Sequence, residues 1–123
     1  DYVNAVACIN TSLQPEQLLD LTQAIELEHG RVRKAERWGA RTLDIDILTC
    51  DNCCGEFSGI TLPREEILFN AYVLKPLADI AGDEIHPVIG QSYQQLWQVY
   101  DHSSQPLRAV KFRWHARTLP MPE

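Results

Sequence analysis

Long apolar runs are missing from this sequence. No window approaches the roughly 18 uncharged residues that a membrane-spanning helix needs. The opening DYVNAVACIN has neither the basic start nor the small-residue cleavage site of a signal peptide, so a soluble cytoplasmic protein with no membrane partner is expected. Positive charge is also scarce, with 11 Lys and Arg against 17 Asp and Glu and a formal net charge of −6. That balance counts against a duplex nucleic acid, whose phosphates require a basic surface. Of the four cysteines, Cys8, Cys50, Cys53 and Cys54, only CDNCC forms a C-x-x-C, and His29, His86, His102 and His115 supply no paired spacing. A closed zinc site therefore lacks its second half, and reduced cysteines in a turn are favoured over a metal or redox role. A G-x-x-x-x-G-K-[ST] run is absent too, which excludes a P-loop nucleotide site.

What is present fits one ordinary domain. The 123 residues, 45% apolar and 23% charged, suffice for a single core over 1–123, with the tail from about 116 expected to fray. Residues 2–10 read as a strand, rich in β-branched and small apolar side chains. An amphipathic helix follows over Pro15–His29, capped by Thr11 or Ser12, with Pro15 in its first turn and Gly30 just past its end. TLDIDILTC is the second clear strand and SGITLP a short third one ended by Pro63. A helical region spans about Arg64 to Ile80 with an interruption near Pro76, and another covers Tyr93 to Tyr100. RAVKFRWH alternates and reads as an added strand. Together these predict an α+β sandwich with helices packed on a sheet.

The chemistry concentrates around Asp44-Ile45-Asp46. On a strand, residues two apart share a face at about 7 Å, so the two acids point one way and Leu43, Ile45 and Ile47 the other. Such a pair is either an exposed face neutralised by surface cations or a site for a hard cation such as Mg²⁺. The five basic residues Arg31, Arg33, Lys34, Arg37 and Arg41, bunched just before the pair, favour the second. Metal and guanidinium groups together are what a polyphosphate requires, and phosphoryl chemistry leads. Tyr2 and Asn4 share a strand face, Trp38 lies in the basic loop and Phe69 and Tyr72 follow later. A flat heterocycle would stack on such rings while Asn4 reads its edge, although core or rim packing explains Phe69 better and Tyr2 equally well.

The run Arg37-Trp38-Gly39-Ala40-Arg41-Thr42-Leu43-Asp44-Ile45-Asp46-Ile47-Leu48, with DYVNA, TQAIELEHGRVRKAERWG, TLP and AYVLKPLADIAGDEIHP around it, resembles the signature of the 6-hydroxymethyl-7,8-dihydropterin pyrophosphokinases of folate biosynthesis. The resemblance covers most of residues 1–90. It implies a ferredoxin-like α+β sandwich with an antiparallel sheet, and transfer of pyrophosphate from ATP to the pterin with release of AMP. It further implies that Asp44 and Asp46 hold two Mg²⁺ ions, that Arg31 and Arg41 stabilise the phosphates, and that Tyr2, Asn4, Asp44 and Tyr72 meet the pterin. Gln23, Glu26, Arg33, Trp38, Ile47, Thr61 and Arg64 fall near the nucleotide.

Some positions depart from the family pattern. After TLP the family usually has a histidine where this chain has Arg64, an arginine where it has Asn70, and phenylalanine more often than Tyr72. A first strand, a first helix and a loop that ordinarily precede the position of Asp1 are expected to be missing, with a homo-oligomer as one way to cover the exposed edge. The competing readings are a non-catalytic binding or assembly module of the same fold, and a metal-dependent phosphoesterase built on the acid pair alone.

Overall fold

The computed structural model describes residues 3–32 and 43–109. Tyr2, Arg33, Trp38, Arg41, the rest of the basic loop and nearly all of the alternating tail lie outside the described residues. The elements are α1 (Pro15–Val32), β1 (Gly55–Phe57), β2 (Ile60–Leu62), α2 (Glu66–Phe69), α3 (Ala71–Ala81) and α4 (Tyr93–Val99), an α+β arrangement. Among the described residues no helix is long and apolar enough to cross a membrane.

The start of α1 is set by glutamine. Gln14 gives its carbonyl to the Leu18 N–H at 2.9 Å, and Gln17 Oε1 reaches back to accept the Gln14 N–H at 2.8 Å. The cap therefore falls at Gln14 rather than at the expected Thr11 or Ser12, because the long amide side chain can satisfy an otherwise unpaired donor from inside the first turn. Thr11 instead accepts from the Leu13 N–H at 3.1 Å and shapes the approach. The helix also runs through Gly30 to Val32, past the expected stop. Gly30 does not take the positive φ of a C-terminal cap, so nothing at that position ends the helix.

Residues 3–10 and 43–50 are not paired strands, contrary to expectation. A strand requires a neighbour's ladder of hydrogen bonds, and along 43–50 the main-chain groups take other partners. The Ile45 N–H goes to a side chain of α1, the Ile47 and Leu48 carbonyls go to Arg64, and the Cys50 carbonyl accepts the Cys53 N–H at 3.0 Å within the CDNC turn. The alternation nevertheless holds, since Leu43, Ile45 and Ile47 are half-buried and Asp44 and Asp46 exposed.

The expected single strand in SGITLP is half of a hairpin. Gly55, Glu56 and Phe57 pair antiparallel with Leu62, Thr61 and Ile60. Ser58 (φ 53°) and Gly59 (φ 90°) form the two-residue connection, whose paired positive φ values match the twist of the strands. The chain then passes through buried Leu62 and a cis Leu62–Pro63 bond into α2.

The core lies in the α2–α4 region, where Ile67, Leu74, Leu77, Ala81 and Tyr93 cluster. The helical stretch breaks at Asn70, extended at φ −115° and ψ 119°, and not near Pro76, which sits inside α3. Pro76 removes one hydrogen bond to the Tyr72 carbonyl, but the buried face Ala71, Leu74, Leu77 and Ala81 is continuous across it and keeps the helix whole. The Asn70 break is held from far along the chain. Gln105 Oε1 accepts the Ala71 N–H at 2.8 Å, and its Nε2 donates to Asn70 Oδ1 and the Phe69 carbonyl, both at 3.3 Å. Tyr100 adds a hydroxyl bond to the Phe69 carbonyl at 2.6 Å.

At the start of α4, Ser92 Oγ accepts the Gln95 N–H at 3.1 Å and Gln95 Oε1 accepts the Ser92 N–H at 2.9 Å, a reciprocal cap. Before it, His86 is buried, and its Nδ1 accepts the N–H groups of Val88 and Ile89, each at 3.1 Å.

Candidate functional site

The two acids are carried on a segment tied down from both sides. Glu26, half-buried on α1, accepts the Ile45 N–H on Oε2 at 2.5 Å, so the helix grips the residue between Asp44 and Asp46. On the other side Arg64, just after β2, donates its main-chain N–H to the Leu48 carbonyl at 2.8 Å and its Nε to the Ile47 carbonyl at 3.2 Å. Its terminal nitrogens lie 3.8 Å from Asp46 Oδ1 and 3.7 Å from Glu66 Oε1. The result is an extended segment fixed by polar ties, with both carboxylates turned outward.

This arrangement brings together Glu26, Asp44, Asp46, Ile47 and Arg64. Thr61, exposed on β2 opposite Glu56, joins Arg64 in lining a shallow depression of about 270 Å³ with Glu65 and Glu66. Gln23 is exposed one turn before Glu26, and Arg31 lies in the last turn of α1. Asn4 and Tyr72 are both exposed, open to a ligand, but share no hydrogen bond or ring contact with the acid-bearing segment among the described residues. The sequence reading missed Glu66, which pairs with Arg64, and missed that Glu26 would hold a backbone group. The only signal for the first was the Glu65-Glu66 pair directly after the arginine.

Two exposed carboxylates on one side of a segment offer hard oxygen donors and leave the remaining coordination positions to water and ligand oxygens. That donor set suits Mg²⁺, which keeps several waters and seldom sits in an all-protein cage. Among the described residues no group of three or more His, Cys, Asp or Glu side chains is placed to hold a metal. The cysteines are all free thiols. Burial, together with the neighbouring Cys53 and Asp51, pushes the Cys50 thiol up from its ordinary value, which disfavours the thiolate that metal ligation or disulfide exchange uses.

Comparison with known proteins supplies the family. The chain is 48% identical over 87 residues to the 2-amino-4-hydroxy-6-hydroxymethyldihydropteridine pyrophosphokinase of Haemophilus influenzae, covering 71% of this chain and 54% of that protein. Against the enzyme of the same name from Pseudomonas aeruginosa it is 49% identical over 82 residues, 67% of this chain and 50% of the relative. The folic acid synthesis protein fol1 of Pneumocystis carinii is 39% identical over 107 residues, covering 86% of this chain and 14% of that longer protein. The chain thus spans about half the length of the two bacterial relatives. The family model for 7,8-dihydro-6-hydroxymethylpterin-pyrophosphokinase (HPPK) matches residues 1–82, a stretch that runs from before α1 through the acid pair, the hairpin and α3, and on that match the chain belongs to the HPPK family.

Proposed function

We propose that the chain transfers pyrophosphate from ATP to 6-hydroxymethyl-7,8-dihydropterin, giving the pterin diphosphate and AMP in folate biosynthesis. The observation that carries this reading is the outward-facing Asp44 and Asp46 pair, held by Glu26 and Arg64 within the residues that match the family. The hydroxymethyl oxygen attacks the β-phosphorus of ATP, the bond from that phosphorus to the α-phosphate bridging oxygen breaks, and AMP departs while the hydroxyl proton passes to solvent.

In this reading Asp44 and Asp46 hold two Mg²⁺ ions, which supply the positive charge that offsets the ATP phosphates. Arg31 and Arg41 stabilise the transferring group. Gln23, Glu26, Arg33, Trp38, Ile47, Thr61 and Arg64 surround the nucleotide, and Tyr2, Asn4, Asp44 and Tyr72 the pterin. The exposure of Asn4 and Tyr72 and the shared depression of Thr61 and Arg64 support these roles. Catalysis then consists of positioning and electrostatic stabilisation, with no covalent intermediate. The same reading takes the fold as a single ferredoxin-like domain in a cytoplasmic enzyme that has no nucleic-acid partner. A second copy in a homo-oligomer would cover exposed apolar residues such as Ile9 and Leu27, and sedimentation reads that state directly.

The test is AMP formation from ATP and the hydroxymethyl dihydropterin with Mg²⁺. Asp44→Ala and Asp46→Ala are each expected to lower kcat by about 10²-fold or more, as removal of an electrostatic group at a reacting centre does. Full activity in both variants would overturn the assignment. ATP binding by calorimetry without any AMP would replace it with the binding-module reading.

A further inference from the structure

Arg64 occupies an unusual electrostatic position. It stands where the resemblance leads to a histidine, so the acid-bearing segment faces a guanidinium in place of an imidazole. Its stem is anchored by the Nε bond to the Ile47 carbonyl at 3.2 Å and by the main-chain bond to Leu48 at 2.8 Å. Its terminal nitrogens are divided between Asp46 at 3.8 Å and Glu66 at 3.7 Å, distances of Coulombic pairing without a close hydrogen bond. The arginine side chain is 24% exposed and that of Asp46 56%. One partner is thus held in place, and the other is open to solvent and to competing cations.

We infer that Arg64 is an internal counter-ion that competes with the divalent cation for Asp46. With no metal bound, Arg64 lowers the repulsion between the two carboxylates. When a cation takes Asp46, the guanidinium keeps its bond to Ile47 and its terminal nitrogens become available to an anionic oxygen of the incoming ligand. A loose, half-exposed ion pair is worth little, which is what a displaceable partner requires, since a tight bidentate pair would shut the cation out. The inference rests on the proposed function only in taking Asp46 as a metal ligand.

Calorimetric titration of the full chain with Mn²⁺ at low ionic strength, with neither ATP nor pterin present, tests this. Arg64→Gln and Arg64→Met are each expected to bind Mn²⁺ about threefold more tightly than the parent, and the gain should shrink as salt screens the charges. Arg64→Lys, which keeps the charge, is expected to stay near the parent affinity. In an Asp46→Asn background the gain from Arg64→Gln should largely vanish. An unchanged or weaker affinity in the neutral variants, an equal gain with Asp46→Asn, tightening in Arg64→Lys, or no Mn²⁺ binding in any form would overturn the inference. Its failure is distinct from that of the proposed reaction. A chain that makes AMP but shows Arg64-insensitive Mn²⁺ affinity loses only this inference, and one with the Arg64 effect but no AMP loses only the reaction.

Discussion

Residues 60–100 and residues 3–50 are built in different ways. The first region buries Ile67, Leu74 and Tyr93 to 1% exposure or less and packs them against one another. In the second, residues 3–10 and 43–50 each lend that core one half-buried side chain, Val6 and Leu48, while Val3, Ile9 and Leu27 stay more than 60% exposed. Yet the second region carries the two acids. They are positioned by polar ties, Glu26 to Ile45 and Arg64 to Ile47 and Leu48, together with the half-burial of Leu43, Ile45, Ile47 and Leu48. Full apolar burial and the placement of the two acids are therefore concentrated in different parts of the chain, and substitutions should show it.

The largest expected contrast is in unfolding. Leu74→Ala empties a fully buried position and should cost about 3 kcal/mol, whereas Ile9→Ala, 68% exposed, should cost under about 0.5 kcal/mol. Comparable shifts of the denaturation midpoint for the two would erase the distinction.

A smaller effect isolates a polar tie. Glu26→Ala removes the acceptor of the Ile45 N–H and should cost about 1 to 2 kcal/mol, with faster amide exchange at Ile45, while Glu26→Gln keeps an acceptor and should restore most of both. Unaltered exchange at Ile45 in the alanine variant would mean that the acid segment is held some other way.

The smallest effect concerns pH in the well-packed region. Burial lowers the His86 pKa below its ordinary 6.5, and its Nδ1 must stay unprotonated to accept from Val88 and Ile89. The unfolded chain therefore takes up a proton before the folded one does. This contribution to stability is complete above pH 6.5 and is lost as the pH falls from there toward the folded pKa. Denaturant midpoints measured across that window should decline in the parent and decline less in His86→Asn. Parallel curves would remove His86 as the cause.

Local rules made much of this legible. α1 followed from its amphipathic periodicity and α4 was read as a helical stretch, and the i, i+2 alternation around Asp44 and Asp46 survives as alternating burial although the strand pairing does not. Pairing depends on a distant neighbour, which residues 43–50 alone cannot specify. The break at Asn70 was missed for a related reason. Pro76 carries a strong local signal, but the groups that stabilise the break lie on Gln105 and Tyr100. At the site, the acids were visible as a spacing. Arg64 was visible as a departure from the family pattern, but its bond to Ile47, 17 residues away, was not.

Gln105 also sets where this fold can be cut. α4 ends at Val99, yet the side chain at 105 is the partner of the Ala71 N–H, 34 residues earlier, and it accepts there while donating to Asn70. A carboxylate at 105 would keep the accepting half and lose the donating half. A chain trimmed at the end of α4 would retain every helix of the described residues and still leave the first turn of α3 without its clasp, so the support of α3 extends past α4.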